Sequence, residues 1–323
     1  MSARVVTLGE AMLRLTAPRG TRLAASPAYE VHVAGAEANV AAALARLGVA
    51  VTWISALPAT PPGDRVAEEL AAAGVDLSHV TRLPGARLGL FFAELGAAPR
   101  ATRVWYDRAD SAFTKLESFD AGVLDGAAYA VVSGITPALG PRSRELAERF
   151  AAEAHAHGAS LCIDVNYRAL LWPPEDAAAV LAPLLAQAGV VVCAARDAEL
   201  LFGLEADDAE PARRLAEQIA TNADLVAVTL GDRGSEVYAA GETRRRAVEP
   251  ADVVDPFGTG DAFTAGLLWG LLEGLDPGNV LAAATALAGL KCTIAGDLSR
   301  FDRAELLAAL GSIAGTDRRP ILR

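Results

Sequence analysis

The chain has 323 residues, a formal net charge of −11 and 52% hydrophobic residues. Seventy-one residues are alanine, so an ordinary core supply is inflated by a small, helix-favouring side chain. The acidic balance and the lack of any basic block exclude nucleic-acid binding, and no apolar run reaches the ~18–20 residues of a membrane span.

Residues 5–8 read as a short buried strand, followed at once by Glu10, so no apolar leader is expected. A soluble, cytoplasmic protein is expected. Residues 12–33 are extended and broken by Pro18, Gly20 and Pro27. An alanine-rich helix is predicted at 39–47, ended by Gly48, then a strand at 51–55 and a helix at 64–73 closed by Gly74. Residues 88–95 and 102–108 alternate like two antiparallel strands. From there strands at 129–133, 160–165, 190–193 and 225–229 alternate with helices at 141–157, 174–187, 197–202 and 209–221. A hairpin is predicted over 235–248, and helices at 260–272, 277–292 and 302–309. Repeated strand–helix units imply an α/β fold: a mainly parallel central sheet with helices on both faces. The pieces at 12–33 and 88–108 do not fit that layout and read as a small accessory sheet able to act as a lid. One domain over residues 1–323 is expected.

Cys162, Cys193 and Cys292 lie far apart in apolar surroundings and read as core residues, not as a disulfide framework or zinc site. The four histidines form no metal-binding pattern.

The most informative stretch is Asp255, Pro256, Phe257, Gly258, Thr259, Gly260, Asp261, Ala262 and Phe263, which opens a long apolar helix. Its glycines let backbone amides approach a ligand, and a helix start favours an anion. Asp261 there is either a helix cap or a base that takes a proton from an attacking hydroxyl. Gly35 with Glu37 and Asn39 forms a second cluster, whose side chains could cap a helix or bind sugar hydroxyls. Asp164, Asn166, Tyr167 and Arg168 follow a strand, where open α/β sheets place ligand-binding groups. Thr229, Gly231 and Gly234 form a glycine turn after another strand, fit for a nucleotide but common in any fold.

In this order, these motifs resemble the ribokinase-like (PfkB) carbohydrate kinases over nearly the whole chain. The subgroup they look closest to is the 2-keto-3-deoxygluconate kinases. The family signature matches Asp255 and the run from Gly258 to Phe263. The glycine motif matches Gly35 to Asn39, with Ala34 where a second glycine is commoner. The subgroup likeness rests on Gly9 with Glu10, Met12 to Leu15, Leu88 to Phe91, Tyr106 to Arg108, Ser133 to Ile135, Asp164 to Arg168 and Lys291 to Ile294. The resemblance implies a ribokinase-like three-layer sandwich using ATP and Mg²⁺. Asp261 would be the catalytic base, and the amides of Gly258, Thr259 and Gly260 the anion hole. Gly35, Asn39, Phe91, Tyr106, Arg108 and Arg168 match substrate positions, with Phe91 replacing a tyrosine. Thr229, Gly231, Gly234 and Gly260 match nucleotide-binding positions. Asp255, with the Phe257 carbonyl, matches a monovalent-cation (K⁺) site of some relatives. The family's Asn-x-x-Glu motif is here Ala194, Ala195, Arg196, Asp197, leaving Asp197 to organise water around Mg²⁺.

The expected activity is phosphoryl transfer from MgATP to a hydroxyl of a small sugar acid, with Arg108 and Arg168 suited to its carboxylate. The competing readings are a family kinase for fructose, ribose or an inositol-derived acid, and a non-catalytic sugar- or nucleotide-binding regulator on the same fold. A nicotinamide Rossmann enzyme is excluded, since no Gly-x-Gly-x-x-Gly follows the first strand. Only Lys115 and Lys291 are lysine, so no Walker-type P-loop exists either. A homodimer or larger homo-oligomer through the accessory sheet is expected.

Overall fold

The computed structural model describes residues 4–96, 99–204, 210–248 and 251–313. Its strands are β1 (Arg4–Leu8), β2 (Met12–Thr16), β3 (Glu30–Ala34), β4 (Ala50–Pro58), β5 (Val80–Leu83), β6 (Gly89–Glu94), β7 (Arg103–Asp107), β8 (Ala127–Ser133), β9 (Ser160–Asp164), β10 (Val190–Ala194), β11 (Leu225–Thr229), β12 (Ser235–Ala239) and β13 (Glu242–Arg246). Its helices are α1 (Ala36–Arg46), α2 (Pro61–Ala73), α3 (Ile135–Ala138), α4 (Pro141–Ala156), α5 (Pro174–Leu185), α6 (Ala195–Phe202), α7 (Pro211–Gln218), α8 (Thr259–Leu272), α9 (Pro277–Lys291) and α10 (Arg303–Ile313).

Nine strands form one sheet in the order β13-β12-β11-β10-β9-β8-β1-β4-β5. It is parallel from β11 to β5, and the β12–β13 hairpin adds an antiparallel edge. The inner strands are short apolar runs because both faces are covered. Alternate residues enter different cores: Val6, Leu8 and Val191 pack with Phe150 of α4, while Val5, Val190 and Val192 pack with Leu267 of α8. α8 is buried from Asp261 to Gly270, as expected of a helix apolar all round.

A separate sheet has the order β3-β2-β6-β7 and takes its strands from the two stretches expected to stand outside the main layout. Its inner face carries Met12, Ala34, Phe91 and Ala93, against which Tyr106 and Phe257 pack.

Two elements escape the sequence pattern. β5 (Val-Thr-Arg-Leu) is a short, half-exposed edge strand without alternation, and α3 is a single turn containing Pro137. The helix predicted over 209–221 is observed as α7; its expected first residue, Ala209, lies outside the described residues.

The chain runs outward from β1 to β4 and β5, then returns to β8 on the other side of β1. Ligands of open α/β sheets sit beyond the carboxyl ends of the strands at such a reversal. Glu10, Gly134 and Asn166 lie just past the ends of β1, β8 and β9.

Candidate active site

α8 begins after Gly258, which has φ +75°; a Cβ there would lie 2.0 Å from the Asp297 carbonyl oxygen, so only glycine fits. The amides of a first helical turn have no partner within the helix and favour an anion. Asp261 sits in that turn and is buried. Asn39 Nδ2 donates to its Oδ2 at 2.6 Å and Asn166 Nδ2 to its Oδ1 at 3.4 Å. Burial raises the Asp261 carboxyl above the usual carboxylate range, against the Asn39 hydrogen bond and the Arg168 charge. The aspartate is thus a held, desolvated acceptor in the first turn of α8, where the Thr259 amide donates to the Pro256 carbonyl at 3.4 Å.

Asn39 reaches Asp261 because α1 starts close to β1. A Cβ on Gly35 would lie 2.3 Å from the Glu10 carbonyl oxygen. Asn39 Oδ1 is buried without a partner. Glu37 behaves differently from the sugar-hydroxyl reading. Its Oε1 accepts from the Ser133 amide at 2.9 Å, the Ser133 hydroxyl at 2.8 Å and the Thr136 hydroxyl at 2.7 Å. It is a buried tie between α1 and the segment after β8, with its pKa raised by burial.

The two arginines also separate. Arg108 is buried and committed to Glu10, which accepts from both its Nε, at 2.9 Å, and its Nη2. This partner differs from the nearer acids, Asp107 and Asp110, that adjoin it in sequence. Arg168 is half-buried, donates to the Tyr167 carbonyl at 3.1 Å, and favours the charged forms of Asp164 and Asp261. Among the described residues it has no ion-pair partner. Phe91 is buried and packs on Tyr106, with ring centroids 5.6 Å apart, and on Phe257 at 5.9 Å. The small sheet therefore rests its aromatic face on the loop that leads into α8.

Asp164 accepts from the Thr264 hydroxyl at 3.1 Å. Burial, then repulsion from Asp261, pushes its pKa up to about 7. Asp197 stands at the start of α6, past β10, with its pKa raised by burial against the pull of Arg196 and Arg168. No cluster of three or more metal-ligating side chains exists among the described residues. Asp164 feels the charges of both Asp261 and Asp197, and Mg²⁺ takes few carboxylates and keeps water and phosphate ligands. Thr229 ends β11, and Gly231 lies in the exposed turn after it with open space at its Cα. Gly234 packs against the Arg246 carbonyl, where a Cβ would sit 2.0 Å away.

Asp255 does not offer the side chain a monovalent cation would need. Its carboxylate accepts from two Arg14 nitrogens, from the Phe257 amide at 3.0 Å and from the Gly296 amide at 3.0 Å. These bonds hold its pKa down although burial acts to raise it. Its backbone carbonyl accepts from Lys291 Nζ at 3.2 Å. Arg14 Nε lies 3.1 Å from Asp297 Oδ2 without the alignment of a hydrogen bond, and its guanidinium stacks on the Phe257 ring at 4.4 Å. Glu10, Arg14, Lys291 and Asp297 thus complete the site, though sequence reasoning gave none of them a role, and Asn166, expected only at a ligand-binding strand end, holds Asp261. A signal existed for Arg14: it shares the inward parity of β2 with Met12 and Thr16, where a charge requires a buried partner.

Compared with known proteins, residues 2–301 match the description "pfkB family carbohydrate kinase". The chain belongs to that family. This kinase is 39% identical over 323 residues to the 2-dehydro-3-deoxygalactonokinase of Haloferax volcanii, covering 98% of this chain and 100% of that one. It is 30% identical over 298 residues to the 2-dehydro-3-deoxygluconokinase of Thermoproteus tenax, covering 91% and 89%. The crystal structure of the 2-dehydro-3-deoxygluconokinase from Thermotoga maritima superposes with a TM-score of 0.89 at 34% identity, covering 96% of this chain and 99% of that chain. The ribokinase-like fold and the carbohydrate-kinase class of this enzyme follow directly. Among the described residues no helix is long and apolar enough to cross a membrane.

Proposed function

We propose that this kinase transfers the γ-phosphoryl of MgATP to a hydroxyl of a 2-keto-3-deoxy sugar acid, the gluconate or galactonate epimer. The observation that carries the reading is the Asp261 carboxylate, held by Asn39 and Asn166 at the start of α8, with the Arg168 guanidinium near enough to favour its charged form. The substrate class rests on Arg168 as the carboxylate partner and on the names of the relatives. Asp261 takes the hydroxyl proton, and its raised pKa makes it a better acceptor than an exposed aspartate. The amides of Gly258, Thr259 and Gly260 face the oxygens of the transferring phosphoryl. Bound Mg²⁺, held through water by Asp164 and Asp197, would offset phosphate charge. Thr229, Gly231 and Gly234 border the nucleotide. The small sheet acts as a lid over the sugar, presenting Phe91 and Tyr106 and excluding water.

The Arg108–Glu10 pair favours a second reading, a neutral sugar such as fructose or ribose, because it removes one of the two arginines offered to an acid. Release of ADP that requires a 2-keto-3-deoxy acid supports the first reading. ADP release at the same rate with and without any sugar contradicts both.

The same reading treats the chain as one kinase unit in the cytoplasm, where ATP is supplied. It also pairs two copies through the outer face of the small sheet, where Tyr29 and Trp105 are exposed and Tyr29 packs edge-on to Phe92. Light scattering at micromolar concentration should give at least a dimer; a monomer alone contradicts the pairing.

A further inference from the structure

Lys291 ends α9 and is fully buried in a chain that uses arginine for 27 of its 29 lysine-plus-arginine cations. Its Nζ donates to the Asp255 carbonyl at 3.2 Å. Asp255 and Asp297 favour its charge, while burial and Arg14 oppose it. It also acts on Asp261, whose charged form it favours.

These contacts lie where two loops are stitched together. The Cys292 carbonyl accepts from the amides of Val254, at 2.8 Å, and Asp255, at 3.1 Å. The Gly296 amide donates back to the Asp255 carboxylate at 3.0 Å. The Asp297 carbonyl packs on Gly258, with no room for a Cβ between them. The loop that shapes the anion hole is therefore clamped against residues 292–297, and a buried ammonium sits on its first carbonyl. A carbonyl oxygen with carboxylates nearby is a site for a monovalent cation, and an ammonium is a compact point charge that a planar guanidinium cannot imitate. Asp255 is saturated by Arg14 and two amides, and the nearby Asp297 Oδ2 lies 3.1 Å from Arg14 Nε, so the neighbouring guanidinium already meets both carboxylates.

We propose that the Lys291 ammonium is a tethered monovalent cation that holds residues 255–260 in their working shape, so this protein needs no K⁺ or Na⁺. Lys291 is a positioning residue: it shapes the loop and touches neither substrate nor nucleotide. Its effect on turnover rests on the kinase reading above; its effect on the folded loop does not.

Wild-type melting temperature and turnover are measured in KCl, NaCl and tetramethylammonium chloride at equal ionic strength. Both should be the same in all three salts. Lys291→Gln should melt lower in tetramethylammonium and lose about a hundredfold in turnover, the scale of a loop displaced by an ångström. KCl or methylammonium chloride should restore part of both losses, which a merely structural lysine would not allow. A wild type that melts higher or turns over severalfold faster in KCl overturns the proposal. So does a Lys291→Gln variant that is unaffected, or one whose losses no small cation repairs. If that variant does not fold, the wild-type salt comparison decides alone. If no sugar acid is phosphorylated, the kinase reading fails while the melting comparison still tests the tethered cation.

Discussion

Asp261 carries two side-chain amides on its carboxylate and is raised by burial, so its two roles in the sequence reading, cap or base, are no longer equal. Its carboxylate is used by Asn39 and Asn166, not by a backbone amide of its own turn. Asp261→Asn should keep the fold and lose roughly 10²–10⁴ in turnover, read as ADP release at saturating sugar acid; near-normal turnover removes it from the base role. Arg168 makes a sharper test of substrate. Arg168→Lys keeps the charge but not the planar fork, and should raise KM for the sugar acid more than it lowers kcat. An unchanged KM would mean that Arg168 serves the nucleotide side. At this scale the sequence made Asp261, the flanking glycines and Asn39 legible, because each stands in a short local motif. It could not show Arg108 bound to Glu10 or Arg14 bound to Asp255, since those partners meet only when β1, the small sheet and the α8 loop come together.

The small sheet was legible as an element apart from the parallel layout, because its two stretches lack the strand–helix period. Its attachment was not. Arg14 runs from β2 into the main body, where it pairs with Asp255, approaches Asp297 and stacks on Phe257. Removing one partner of a buried ion pair leaves an uncompensated charge and costs about 3–5 kcal/mol. Arg14→Met should therefore lower unfolding free energy by that order in a denaturant titration, and turnover should fall with it because the α8 loop loses its support. A loss within about 0.5 kcal/mol, the scale of an ordinary surface substitution, contradicts this view of the anchor. β5 escaped notice for the opposite reason: an edge strand with three half-buried residues, one exposed and none buried carries no burial pattern to read.

Across the whole molecule, carboxylates gather at the strand ends and around the start of α8, and burial raises several of them. Asp164 and Asp297 are both pushed up to about 7, from about 3.9 in an unfolded chain. Between those values the folded protein holds protons the unfolded chain has released, so stability falls as pH rises through the window. Glu37 acts in the same direction and His32, lowered by burial, in the opposite one. Asp255, held down by Arg14, matters only below the window, where acid removes its contribution. The ligand-free protein should accordingly melt higher near pH 5 than near pH 7.5, and Asp297→Asn should flatten that slope; a melting temperature that rises across the range contradicts the burial of these acids. The overall layout was legible because its strands and helices alternate. The electrostatic character of the site was not, because a net charge of −11 says nothing of where the acids meet. The most direct measurement is kcat/KM of the wild type with ATP and Mg²⁺ across one panel: 2-keto-3-deoxygluconate, 2-keto-3-deoxygalactonate, fructose and ribose. The predicted result is that one or both acids exceed the neutral sugars by at least tenfold; a neutral sugar preferred over both acids would contradict the assignment.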